Sequence, residues 1–138
     1  MKLVRPESRT RVPRPKSQSL SSSRVLVVED HVHLRLILGR SLGRMGFRPE
    51  EAEDVDSALR LLRDVEFRRV LLDVNLPGGG GLRVFQEIEA RRDDLRKGVI
   101  FMTGGFTDDA VESLVERSGL PILWKPFELR ELERVLRS

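Results

Sequence analysis

Glu29 and Asp30 stand side by side after the apolar run VLVV, and Asp73 closes a second apolar run, RVLLD. Adjacent like charges repel and must be hydrated, paired or bound to a metal. Three carboxylates brought together need a counter-charge. A hard divalent cation with oxygen ligands supplies it, and Mg2+ is the common one. Thr103 ends the run GVIFMT and Lys125 follows PILW, adding a hydroxyl donor and a fixed positive charge. Around a phosphoryl group this set has a definite chemistry. Asp73 is the candidate nucleophile, forming an aspartyl-phosphate. The cation and Lys125 would neutralise the transferring oxygens while Thr103 hydrogen-bonds to one of them.

The surrounding chain must bring these residues to one place. Residues 25–28 read as a strand buried on both faces. His31 to Gly46 reads as a helix, with Leu34, Ile37, Leu38, Leu42 and Met45 on one face at about 100° per residue. Gly46 suits its end. Residues 47–53 form a weak strand, and Pro49 places it at a sheet edge, where a missing N–H is harmless. Residues 55–66 give a second helix with Val55, Ala58, Leu59 and Leu62 inward; 69–74 give a buried strand and 75–81 a loop. Leu82 to Arg92 is helical through Val84, Phe85 and Ile88, and 98–103 is a strand broken by Gly104-Gly105. Thr107 reads as the N-cap of a helix reaching about Arg117, with Asp108 and Asp109 in its first turn. A short strand at 121–124 and a helix from Phe127 to Leu136 complete the pattern.

The order is five βα units. It predicts an α/β fold: a doubly wound, five-stranded parallel sheet, (βα)5, with helices on both faces. Ligands of such sheets bind beyond the carboxyl ends of the strands, where the strand order reverses. In the order 2-1-3-4-5 that point lies between strands 1 and 3, where Glu29, Asp30 and Asp73 would meet.

Composition limits the alternatives. The 138 residues fit one domain with a tail. No apolar run approaches the roughly 20 residues of a membrane helix, and no signal-peptide h-region opens the chain. The absence of cysteine removes disulfides and thiolate metal sites, and suits the cytoplasm. The net charge of +3 divides unevenly: residues 1–23 carry +5 and the remainder −2. The basicity belongs to the Pro- and Ser-rich tail, which reads as a disordered linker, and not to the folded domain at 24–138. Nucleic-acid binding by that domain is not expected.

The motifs VLVVED, LLDVNLPGGGGL, FMTGG and LWKPF together resemble the receiver domain of two-component response regulators over about residues 24–137. Each motif is modest alone; four in this order and spacing are specific. The resemblance implies a flavodoxin-like receiver fold, with Asp73 as phospho-acceptor. The donor would be a histidine kinase or a histidine phosphotransfer domain. It implies Asp30 on Mg2+, Glu29 reaching it mainly through water, and Asn75 contributing its backbone carbonyl. Thr103 and Lys125 would contact the phosphoryl group, and Pro126 would follow a cis peptide bond. It also implies a monomer or weak homodimer, and a partner contact at Leu36, opposite the apolar stripe of the first helix.

The sequence departs from the family pattern at specific places. The aromatic switch residue three positions before the lysine is Ile122 here, and Trp124 adjoins Lys125. Gly80 replaces an acidic residue, leaving four consecutive glycines and an expected mobile loop. Gly104 and Gly105 leave little bulk beside the acceptor, so water is expected to reach a phosphoaspartate readily.

Blander readings stand beside these. Glu29 and Asp30 could cap the first helix, Thr103 could be a strand-end hydroxyl, and Asn75 a simple turn former. His31 and His33, two apart, do not share a helix face and make a poor joint metal site. The glycine run lacks the Gly-Lys-Ser/Thr ending of a phosphate cradle. An aspartate-nucleophile phosphatase would carry a second Asp where Asn75 stands, which weighs against enzymatic turnover. A degenerate receiver acting only as an interaction module is the other alternative. The sequence ends at the fifth helix, so no DNA-binding output domain is expected. A stand-alone receiver and the C-terminal receiver of a hybrid histidine kinase both fit.

Overall fold

The computed structural model describes residues 23–138. The tail expected to be disordered, residues 1–23, lies outside the described residues except for Ser23. Five parallel strands, β1 (Arg24–Val28), β2 (Arg48–Ala52), β3 (Arg69–Asp73), β4 (Val99–Thr103) and β5 (Ile122–Trp124), form one sheet in the order β2-β1-β3-β4-β5. This is the expected order, and Pro49 lies on the edge strand, opposite Val25. Five helices connect and close the strands: α1 (Val32–Arg44), α2 (Val55–Asp64), α3 (Gly80–Arg91), α4 (Asp109–Ser118) and α5 (Leu129–Leu136).

Alternation along the strands divides the core in two. Val25 and Val27 of β1, with Leu71, Ile100, Met102 and Leu123, pack under Leu38 and Leu42 of α1 and Leu132 and Leu136 of α5. Leu26 and Val28, with Val70, Leu72, Val99 and Phe101, face α2, α3 and α4 through Ala58, Leu62, Val84, Phe85, Ile88 and Val115. Every residue of β3 and β4 is buried, so these strands read as apolar runs rather than alternating ones.

Several sequence boundaries need correction. Helix α1 starts at Val32, with His31 as its N-cap, and Ile37 is 52% exposed instead of joining the apolar stripe. Asp108, not Thr107, caps α4, accepting from Ala110 N–H at 2.8 Å. The nearer carboxylate is the better partner for the first-turn donors, and such a cap is worth about 1 kcal/mol. Asp54 caps α2 in the same way, accepting from Ser57 N–H at 2.8 Å.

The glycine run is not a loop throughout. Pro77–Gly79 form a 3-10 turn, and Gly80 and Gly81 already belong to α3. Gly78 and Gly79 have φ of +67° and +72°, which favours glycine. A Cβ on Gly81 would sit 2.5 Å from the Asp73 carbonyl oxygen, so this helix start packs directly on the end of β3. A helical turn at Asp93–Arg96, which buries Leu95, has no counterpart in the sequence reading. Its four residues are too few to show a period.

Candidate functional site

The ends of β1, β3 and β5 converge on a cavity of about 560 Å³ lined by Glu29, Asp30, Asp73, Asn75 and Lys125, with Leu34 and Phe127 among its apolar walls. Glu29 and Asp73 are buried, at 1% and 2% exposure, whereas Asp30 faces solvent. One carboxylate oxygen from each of the three lies within 4.8 Å of the others. A hard divalent cation would fit this donor set by charge and by ligand type. Burial raises the Asp73 carboxyl to about 6, and nearby Glu29 adds to the rise; the Asn75 N–H and Lys125 pull in the opposite direction.

Lys125 reaches the site across the sheet. Its ammonium donates to Glu29 Oε1 at 2.7 Å and lies 3.5 Å from Asp73 Oδ1. The second Glu29 oxygen accepts from His31 N–H at 3.1 Å. Glu29 is therefore engaged through both oxygens, one on the lysine and one on the entry to α1. The Lys125–Pro126 peptide is cis.

Thr103 is fully buried at the end of β4. Its hydroxyl lies 2.9 Å from Asn75 Oδ1 and 3.0 Å from the Gly105 carbonyl, and accepts from Gly105 N–H at 3.0 Å. Asn75 gives more than main-chain atoms. Its N–H donates to Asp73 Oδ1 at 2.9 Å, and its side-chain amide donates to Gly105 O at 3.1 Å. The side chain of Asn75 thus joins the Thr103 hydroxyl to the loop after β4, a role the turn-former reading missed.

Sequence reasoning also missed Arg35. Its guanidinium donates to the Glu29 carbonyl at 2.9 Å and pairs with Glu51 at 3.5 Å, tying α1 and β2 to the acidic strand end. One arginine among many in a helix gives no signal of that role.

Ile122 lies half buried against the α2–α4 side of the core, and Trp124, 53% exposed, packs on Phe106. Leu36 is 42% exposed on α1, beside exposed Val32. Among the described residues no helix is long and apolar enough to cross a membrane.

A family model described as the response regulator receiver domain matches residues 25–137. The chain belongs to the response regulator receiver domain family. Its fold and resemblance are those expected from the four motifs. This receiver domain is 36% identical over 110 residues to the phosphate regulon transcriptional regulatory protein PhoB of Escherichia coli, covering 79% of this chain and 48% of that protein. It is 34% identical over 124 residues to the sensor histidine kinase AruS of Pseudomonas aeruginosa, covering 88% of this chain and 12% of the kinase. The chain thus spans half or less of these curated relatives. Among solved structures, the response regulator TrrA of Thermotoga maritima, in complex with Mg2+-BeF, superposes with a TM-score of 0.72 at 27% identity, covering 83% of this chain and 96% of that one.

Proposed function

We propose that this receiver domain accepts a phosphoryl group on Asp73 from a histidine kinase or histidine phosphotransfer domain. The observation that carries the reading is the convergence of Asp73 with two further carboxylates and an ammonium at one cavity, with the buried Thr103 hydroxyl joined to it through the Asn75 side chain. An Asp73 carboxylate oxygen attacks phosphorus, the bond from phosphorus to the donor nitrogen breaks, and the phosphohistidine ring, protonated on its other nitrogen before transfer, takes up the bonding pair and leaves as neutral imidazole. Lys125 turns from Glu29 toward the incoming phosphoryl oxygens and offsets their charge, and the Thr103 hydroxyl donates to one of them. The residues fit Mg2+, which Asp30 and Asp73 would hold directly, with Glu29 and the Asn75 carbonyl in support; when bound it supplies charge neutralisation for the phosphoryl oxygens. The TrrA complex with Mg2+-BeF supports such a site in a relative.

The domain changes its own state and turns over no external product. Leu36 and Val32, apolar and exposed on α1 beside the cavity, are the proposed contacts for the phosphodonor protein. Similarity to PhoB and AruS fits a receiver carried by a transcriptional regulator and one carried by a kinase alike, and does not separate these from a stand-alone receiver.

The test is incubation with acetyl phosphate, with and without Mg2+, followed by intact mass. We expect one added phosphate that needs both Mg2+ and Asp73. No adduct on the wild type, together with no bound beryllofluoride, would reject the reading; an adduct that persists in Asp73→Asn would reject the acceptor.

A further inference from the structure

Trp124, the chain's one tryptophan, meets Phe106 edge to face, with ring centroids 5.6 Å apart and planes at 89°. Neither ring takes part in the phosphoryl chemistry above. Their points of attachment give the pair its meaning. Phe106 follows Gly105, whose N–H and carbonyl are held by Thr103 and Asn75. Trp124 precedes Lys125, whose ammonium is held by Glu29 and Asp73. Trp124 is also the register partner of Thr103, and the Lys125 N–H donates to the Thr103 carbonyl at 2.7 Å. Each ring is one peptide unit away from one arm of the site.

We propose that the Phe106–Trp124 stack transmits the occupancy of the Asp73 site to the protein surface, taking the place of an aromatic side chain at Ile122. The inference rests on the phosphorylation reading. The Thr103 hydroxyl has a single proton, now within reach of Asn75 Oδ1 and the Gly105 carbonyl. Turning it to a phosphoryl oxygen withdraws that proton from both and loosens the tie to Gly105. The loop has room to respond: Gly105 sits at φ +149°, and a Cβ on Gly104 or Gly105 would meet nothing within 4 Å. Lys125, swinging from Glu29 to the same phosphoryl group, draws on the end of β5 and so on Trp124. Both movements act on one ring contact. An edge-to-face pair biases its two partners by roughly two- to tenfold in population, so the loop population should shift by a factor in that range. Ile122, packed against the core, has no polar atom or ring through which to join this exchange.

Because there is only one tryptophan, its emission reads this contact directly. The experiment titrates wild type, Phe106→Leu and Phe106→Tyr with beryllium and fluoride in Mg2+. Site occupancy is scored by the bound 19F resonance, and the stack by Trp124 emission and acrylamide quenching. Circular dichroism melts establish that the variants fold. We expect full occupancy in all three proteins, a change of emission and quenching in the wild type and Phe106→Tyr, and loss of that response in Phe106→Leu. A bound 19F signal with unchanged Trp124 emission and quenching in the wild type overturns the inference alone. So does a response that survives in folded Phe106→Leu. No bound 19F signal in the wild type overturns the inference together with the phosphorylation reading.

Discussion

Asp73 is nearly sealed from water, and the groups that answer its charge are few: the Asn75 N–H at 2.9 Å and the Lys125 ammonium at 3.5 Å, which Glu29 holds more tightly. Burial therefore dominates, and the carboxyl rises to about 6 from its ordinary 3.8. Between about pH 4 and pH 6 the folded chain holds a proton that the unfolded chain has released. The stability this contributes is full below about pH 4 and is lost as pH rises through 6. At neutral pH without divalent metal, the charged Asp73 is a liability to folding. Asp73→Asn removes the charge and keeps an oxygen for the Asn75 N–H. In EDTA at pH 7 we expect this variant to exceed the wild type by about 1–3 kcal/mol. The gap should close at pH 4. Urea titrations of both proteins at the two pH values would check this, and a gap independent of pH would contradict the burial account.

At the scale of elements, the glycines separate those that position the site from those that do not. Gly81 opens α3 against the end of β3, where an added methyl would lie 2.5 Å from the Asp73 carbonyl oxygen and 2.9 Å from Val74 Cα. Backbone cannot give way as a side chain can, so Gly81→Ala should destabilise the domain by about 1–3 kcal/mol and disturb the position of Asp73 with it. Gly43, inside α1 with nothing within 4 Å of its would-be Cβ, should do the reverse: Gly43→Ala gains about 0.5–1 kcal/mol from helix propensity alone. Urea midpoints for the two variants test the contrast. Such packing is what the sequence concealed. The strands were legible because β3 and β4 are buried on both faces and therefore continuously apolar, and Pro49 marked the edge. Helix ends were less legible. Asp108 took the cap from Thr107 because the choice turns on loop geometry, and Ile37 left the stripe because a helical wheel does not say how wide the covered face is. At the site, residue types and strand-end positions revealed Glu29, Asp30, Asp73, Thr103 and Lys125. The amide of Asn75 and the guanidinium of Arg35 escaped notice because their partners, Gly105 and the Glu29 carbonyl, are main-chain groups that have no sequence signature.

On the scale of the whole molecule, the site exists only in the folded chain. Glu29 and Lys125 are 96 residues apart in sequence, and Asp73 joins them only when β1 and β3 pair. Three carboxylates gathered at adjacent strand ends oppose folding by mutual repulsion, and one ammonium does not balance them. A divalent cation that binds this cluster binds the folded state and not the unfolded one. Folding and metal binding are then linked: stability rises by about 2.7 kcal/mol when free metal reaches a hundred times its dissociation constant. For a domain of this size that is about 10 °C in Tm. We expect the Tm to climb with the logarithm of Mg2+ concentration once the site begins to fill, and to fall back in EDTA. Asp30→Asn, which removes the exposed ligand while leaving the Glu29–Lys125 pair in place, should flatten that climb. A thermal series monitored by circular dichroism in wild type and variant measures both slopes. If the Tm is indifferent to millimolar Mg2+, or the slope is the same in Asp30→Asn, then the cation is not held where the three carboxylates meet. The electrostatic cost of gathering them would then have to be offset by Lys125 alone.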